Sequence, residues 1–288
     1  MNKPNIDEVT GKETTGHDWD GIQELNQPLP SWWLWVFYAC VLFAVGYWIA
    51  YPAWPLLNGY TRGMLGYSQR QTVNSDIVAA KAAQGKFYAA IIGSDLTTIQ
   101  KNPELLTFAS AGGRTAFANN CAQCHGRGAQ GSAGYPNLSD DDWLWGGKLE
   151  DISKTITAGI RSASPDARQS RMPRFGIDKM LEAAQISDLA EYVLSLPGKS
   201  QDSAAAGRTK TLFTDNCSAC HGNDGMGKQD LGAPNLTDAI WLYGGRKEDI
   251  MRSIETGRGG AMPTWGGRLD PATIKMLAIY VHSLGGGQ

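Results

Sequence analysis

Two pentapeptides, Cys121-Ala-Gln-Cys124-His125 and Cys217-Ser-Ala-Cys220-His221, set two thiols and an imidazole at the same spacing. On a helical turn, residues i, i+3 and i+4 share one face, so both sulfurs and the ring can converge on one flat group. This is the attachment pattern of c-type haem, in which the thiols bond to the porphyrin and the histidine ligates iron. A single copy could belong to a zinc or dithiol site. Two copies, each followed by its own matching residues, point to two covalent haem c groups.

The cysteine and histidine counts weigh against the alternatives. Of five cysteines the motifs use four, and Cys40 lies in an apolar run with no ligands around it, where a small buried hydrophobic residue is the simpler reading. Zinc needs four convergent ligands per ion. The chain has only four histidines, His17, His125, His221 and His282, so each motif offers three ligands at most. A dithiol centre has no use for the histidine that follows.

A second axial ligand is needed on the far face of each haem. Met172 and Met262 sit in matching Met-Pro dipeptides, 47 and 41 residues after His125 and His221. A thioether from a loop suits a c-type iron and raises its potential. Met180, Met251 and Met276 stand at helical positions and read as packing, and Met226 lies too close behind His221 to reach the opposite face. His282 is the chief competitor, although it aligns with apolar Leu194 in the other copy. Trp143, Trp241, Phe175 and Trp265 are expected against the porphyrins. Arg161 and Arg258, each shortly after a matching Gly, are candidates for the haem propionates or for solvated surface.

The elements that position these residues form an internal repeat. Phe117-Ala-Asn-Asn-Cys121 matches Phe213-Thr-Asp-Asn-Cys217, and Pro136-Asn-Leu matches Pro234-Asn-Leu. Trp143-Leu-Trp-Gly-Gly147 matches Trp241-Leu-Tyr-Gly-Gly245, and Tyr192-Val-Leu-Ser-Leu196 matches Tyr280-Val-His-Ser-Leu284. Each copy runs helix, haem motif, Gly-rich loop, helix, Met-Pro loop, C-terminal helix, an order that resembles the class I cytochrome c fold. Domains this small build little apolar core alone, so the haem is expected to supply part of it.

Ahead of the repeat, residues 25–61 carry no charge, and Trp32 to Tyr51 is an apolar run of about twenty residues with Trp and Tyr at both ends. That suits a membrane-spanning helix. A cleaved signal peptide fits poorly, because thirty mostly polar residues precede the run and no small-residue cleavage site follows. Orientation draws two opposed signals. Lys12 on one side against Arg62 and Arg70 on the other weakly favours a cytoplasmic C-terminal part. Haem attachment outside the bacterial cytoplasm outweighs that margin.

The expected architecture is all-α, a single N-terminal transmembrane helix followed by two tandem class I cytochrome c domains. Residues 1–30 are expected as a cytoplasmic segment, 31–57 as the transmembrane helix, and 58–109 as a periplasmic connector with helices near 73–92 and 96–108. Residues 110–197 form the first cytochrome domain, 198–206 a Pro/Gly/Ser/Ala-rich linker and 207–288 the second domain.

The run Trp19-Asp-Gly-Ile-Gln-Glu-Leu-Asn-Gln-Pro-Leu-Pro-Ser-Trp-Trp33, the Tyr51-Pro-Ala-Trp-Pro55 exit and Thr61-Arg-Gly-Met-Leu-Gly-Tyr67 resemble the CcoP/FixP family. That family is the dihaem subunit III of cbb3-type cytochrome c oxidase, and the resemblance covers nearly the whole chain. It implies a relay in the bacterial inner membrane, with the haem domains in the periplasm. Electrons would pass from a periplasmic donor cytochrome to a monohaem subunit, then to a catalytic subunit with haem b and copper. It implies no substrate chemistry on this chain. Ala39, Ala44 and Gly46 offer close approach to partner helices.

Charge says little about the donor. The first domain holds nine basic and ten acidic residues and the second nine and eight, so neither has a strong steering field. No basic stripe supports nucleic-acid binding. Two rivals remain: a membrane-anchored dihaem cytochrome serving a periplasmic dehydrogenase or reductase, and a dihaem peroxidase. The peroxidase would need an open sixth position on one iron, which matching methionines argue against.

Overall fold

A computed structural model of the chain describes residues 5–285. It divides into two compact units, Met1–Lys81 and Ala82–Gln288, each described by itself.

The first unit opens with a hairpin of β1 (Thr14–Trp19) and β2 (Ile22–Leu25). Asp20 and Gly21 turn it with φ of 54° and 89°, the Asp-Gly pair that a two-residue turn of this hand favours. Asp18 Oδ1 accepts from the Gly21 N–H at 2.7 Å and closes the turn. The twenty-residue helix α1 (Ser31–Ala50) has no buried residue. It is long and apolar enough to cross a membrane, at about 30 Å of rise, and fits a membrane-anchored protein.

Beyond Pro52 a small hairpin, β3 (Pro55–Leu56) with β4 (Gly59–Tyr60), returns the chain to the helix end. There the N–H groups of Met64 and Leu65 donate to the Ile49 and Ala50 carbonyls at 2.9 and 3.0 Å. Helix ends leave such carbonyls without partners, and beside hydrocarbon that is costly. Gly63 makes the approach possible: its φ is +71°, and a Cβ there would run into the Ala50 carbonyl.

The second unit is helical. α2 (Gln69–Gly93) ends in it, followed by α3 (Leu96–Lys101), α4 (Pro103–Asn120) and α5 (Ala122–His125). Then come α6 (Leu149–Ala158), α7 (Ala183–Ser195), α8 (Ser203–Arg208) and α9 (Lys210–Asn216). The chain ends on α10 (Ser218–His221), α11 (Lys247–Thr256) and α12 (Pro271–His282). α4 is started by Asn102, whose Oδ1 accepts from the Glu104 and Leu105 N–H groups, with Pro103 at the first helical position. The helix leading into the first haem motif therefore begins before the repeat boundary read at residue 110. Within the stretch read as a linker, α8 already starts at Ser203.

Two cores form, and neither coincides with one repeat. The first gathers Phe117 of α4 with Ile152 and Ile156 of α6, and closes on Ala272, Met276, Leu277 and Ile279 of α12. The second gathers Phe213 of α9 with Ile250 and Ile254 of α11, and closes on Ile186, Leu189 and Val193 of α7. Each C-terminal helix packs with the other repeat. The swap is nearly symmetric: Phe117 meets Tyr280 edge-on at 5.5 Å, and Phe213 meets Tyr192 at 4.8 Å. α4 and α12 cross at Gly113, where a Cβ would strike the Met276 carbonyl and the Tyr280 Cβ.

The crossing strands are sewn by backbone bonds. Ile160 and Met262 exchange N–H···O bonds of 3.0 and 2.9 Å, and Phe175 and Gly176 donate to Ile254 and Glu255. Lys275 of α12 donates to the carbonyls of Ile91, Ile92 and Ser94, capping α2.

Glu191 of α7, only 4% exposed, fixes the return of the chain. It accepts from Ser200 Oγ at 2.8 Å, from the Gln201 and Asp202 N–H groups, and from Lys247 Nζ of α11 at 2.9 Å. Lys247 and Ser200 are the leading causes that hold its carboxyl down to about 2, against an ordinary 4.5. A depressed carboxyl stabilises the fold above its unfolded value and loses that contribution as pH falls through its folded one. Glu191→Gln is expected to destabilise the holoprotein by about 1–3 kcal/mol at pH 7, by loss of a charge-assisted hydrogen bond. In denaturant titrations the gap between the two chains should narrow as pH drops from 4.5 towards 2. A gap that stays constant over that range would rule out the carboxylate as its source.

Candidate haem sites

In each site one helix delivers the pentapeptide. α4 ends at Cys121, and the His125 N–H donates to the Cys121 carbonyl at 3.0 Å, closing the turn that puts Cys121, Cys124 and His125 on one face. α9, Cys217, Cys220 and His221 repeat it, with a bond of 2.9 Å. Gly126 and Gly222 then take φ of +81° and +78° and stop the turn. Cys40, expected to be buried, lies exposed on α1. Burial pushes Cys121 and Cys217 up to about 11, so as free thiols they stay protonated.

Each histidine ring is aimed by a carbonyl. His125 Nδ1 lies 3.0 Å from the Pro136 oxygen and His221 Nδ1 3.1 Å from the Pro234 oxygen. A carbonyl only accepts, so Nδ1 carries the proton and the Nε2 lone pair is free for a metal. Burial, the larger influence, moves both imidazoles below their ordinary value, with the carbonyl bond opposing it. Both rings are therefore neutral and ligand-competent near pH 7. The carbonyls are held in turn: Gly131 and Gly227 donate to the His125 and His221 carbonyls at 2.8 Å, and Leu138 and Leu236 donate back to Ala129 and Gly225.

The methionines arrive from the opposite repeat. Met262 packs against the first core beside Cys121, Trp143 and Trp265, and Met172 against the second beside Cys217, Trp241 and Phe175. Four aromatics expected at the porphyrins thus divide two and two across the swap. The other methionines stay apart: Met276 is 2% exposed in α12, and Met180 and Met226 are exposed. His282 closes the last turn of α12. Among the described residues, no group of three or more His, Cys, Asp or Glu side chains is placed to hold a metal ion directly.

The residues present fit a haem. Two thiols that could bond to a porphyrin, a neutral imidazole with its Nε2 lone pair available for iron and a thioether from a separate loop are what a c-type site needs. Arg258 adds a buried Nε without a hydrogen-bond partner, a donor that suits the carboxylates of such a group.

The comparisons agree along the chain. Residues 11–58 match the N-terminal domain of cytochrome oxidase-cbb3, FixP. Residues 110–197 match cytochrome c, and 204–281 match cytochrome c oxidase, cbb3-type, subunit III. The Cereibacter sphaeroides cbb3-type cytochrome c oxidase subunit CcoP is 50% identical over 287 residues, covering 99% of both chains. The subunit FixP of Azorhizobium caulinodans is 53% identical, covering 98% of this chain and 96% of its own.

The chain belongs to the CcoP/FixP family. Its two cytochrome c domains are those of a cbb3-type oxidase subunit, an electron-transport protein. The family's Trp19-Asp-Gly-Ile run proves to be the β1–β2 turn, and its Thr61-Arg-Gly-Met run is the segment that caps α1.

The sequence reading passed over the Pro136 and Pro234 carbonyls, although their matching Pro-Asn-Leu runs mark them. It also passed over Trp145, which is buried under Arg168, with its indole against Gly232 of the other repeat. Gly131, at φ +67°, sits so close to the Tyr135 carbonyl that a Cβ would displace the strand carrying Pro136. Gly131→Val is expected to free the His125 ring and cut haem content towards one per chain, read by pyridine haemochrome against protein mass. Two haems retained with unchanged spectra would show that the carbonyl is dispensable.

Proposed function

We propose that this chain is the membrane-anchored dihaem relay of a cbb3-type oxidase. It takes electrons from a periplasmic donor cytochrome and passes them to a monohaem subunit, and through it to a catalytic subunit with haem b and copper. Two haem c groups are bonded through Cys121 and Cys124, and through Cys217 and Cys220. His125 and His221 are the proximal ligands. Met262 completes the first site and Met172 the second, a crossed arrangement supported by the core each methionine packs into.

That pairing of a motif and a methionine within each core carries the reading. A haem bound there would supply a one-electron couple, and with His and Met side chains both holding its iron it would offer no place for a substrate. Oxygen reduction is therefore assigned to a partner subunit. The segment before α1 lies in the cytoplasm and the haem domains in the periplasm, because c-type attachment is completed outside the cytoplasm. A relay for a periplasmic dehydrogenase would use the same sites, but family membership over the full length favours the oxidase.

The partner is tested by mild-detergent purification from native membranes, with oxygen uptake measured on the eluate and on the separated subunit. A copper- and haem b-containing complex that alone consumes oxygen is the expected result. Elution alone, or with a dehydrogenase, overturns the assignment of partner. Crossing is tested on the reduced full chain carrying labelled methionine methyls. The Met262 methyl should show Overhauser contacts to the meso protons of the haem attached through Cys121 and Cys124; contacts to the haem attached through Cys217 and Cys220 would sink the crossed arrangement. Met262→Ala should also lower one haem's potential and admit carbon monoxide, and an unchanged titration would refute the ligand assignment.

A further inference from the structure

Arg161 and Arg258 lie close to matching glycines that end helices, Arg161 one place further on: Gly159-Ile160-Arg161 follows α6 and Gly257-Arg258 follows α11. Their guanidinium groups are used differently. Arg161 Nε donates to the Gly260 carbonyl at 2.7 Å and its Nη1 to the Ser170 carbonyl, so it braces the crossing of the two repeats. Arg258 lies over the Tyr243 ring, 4.8 Å from its centroid, and its Nε is buried with no hydrogen-bond partner. Asp249, a carboxylate in α11, is already paired with Arg246 at 2.9 Å.

A buried guanidinium N–H without an acceptor is unfavourable, and such groups are rare unless a ligand or water completes them. The place of Arg258 says which ligand. Gly257, its neighbour, packs under the Met172 and Pro173 carbonyls, and Tyr243 leads into α11, whose Ile250 and Ile254 line the second core. A planar guanidinium is built for a carboxylate, which it binds with two parallel donors.

Resting on the haem reading above, we infer that Arg258 binds a carboxylate of the haem held between His221 and Met172, while its counterpart Arg161 serves as a brace within the fold. The two haem environments then differ in fixed charge although their ligands match. A cation beside the porphyrin disfavours the ferric state, so Arg258 raises the potential of that one haem.

The test is a redox titration of the full-length holoprotein in detergent. Met172→His and Met262→His, each lowering the potential of the haem it serves, mark which wave is which. Arg258→Gln is expected to lower the Met172-marked wave, weakening its reduction equilibrium by roughly threefold to thirtyfold. The other wave should stay in place, and Arg258→Lys should recover most of the shift. With both haems attached, an unchanged Met172-marked wave overturns the inference, as does a shift confined to the Met262-marked wave. A wild-type chain without two covalent haems, read by pyridine haemochrome, overturns the haem reading and this inference with it.

Discussion

A flat cofactor presents two faces, and one helical turn reaches only one of them. On the ligation proposed above, the opposite face has to be supplied from elsewhere in the second unit. The thiols and imidazole come from a turn whose geometry is local, closed by bonds between neighbours such as Cys121 and His125. The methionine proposed for the other face comes from far along the chain and is held without a helix to hold it. Here the Met262 strand is bound to Ile160 of the other repeat, and the Met172 loop lies under Gly257. The two sites therefore share their walls. Stripping α12 would remove much of the first core while leaving the motif of the second intact, so neither repeat contains a complete core of its own.

The sequence made the local chemistry legible, and the pairing of distant parts was not. Cys-x-x-Cys-His is a short-range signal with a geometric cause, as is the charge-free run that becomes α1. The helix read over 73–92 lies within α2, because Ala- and Lys-rich stretches declare themselves without tertiary help. The exchange of α7 and α12 leaves no such trace. Both repeats carry the same pattern of apolar residues, Tyr192 matching Tyr280 and Phe117 matching Phe213, so each C-terminal helix fits either core equally well on paper. What decides between them is the path of the connection, and that is a matter of specific bonds. The Asp20-Gly21 turn was readable in principle, since the pair is a strong hairpin signal, but the segment reads as polar and shapeless unless the turn is sought.

The membrane-spanning element shows the same division. Composition announces α1, yet its lower boundary depends on Gly63, a residue with no apolar signal. By accepting a positive φ it lets the Met64 and Leu65 N–H groups reach the last carbonyls of the helix. Trp48 and Trp54 meet edge-on at 4.8 Å beside that turn. The aromatic belt and the backbone cap thus form one structure, and the glycine of the Thr61-Arg-Gly-Met run is fixed by the space available to it.

Exchange also bears on what the relay proposed above would require. Electron transfer between two centres depends steeply on their separation, and tandem domains on a flexible tether would let that separation wander. The stretch between the repeats has the composition of such a tether. Glu191 removes its freedom: one carboxylate holds Ser200, Gln201 and Asp202 on one side and Lys247 on the other, and α8 begins at once. With the tether fixed at its start and the far helices locked into each other's cores, changing the spacing between the sites would mean unpacking both. Two small domains with thin cores gain rigidity by borrowing from each other, and the same packing fixes the spacing between their two Cys-x-x-Cys-His motifs.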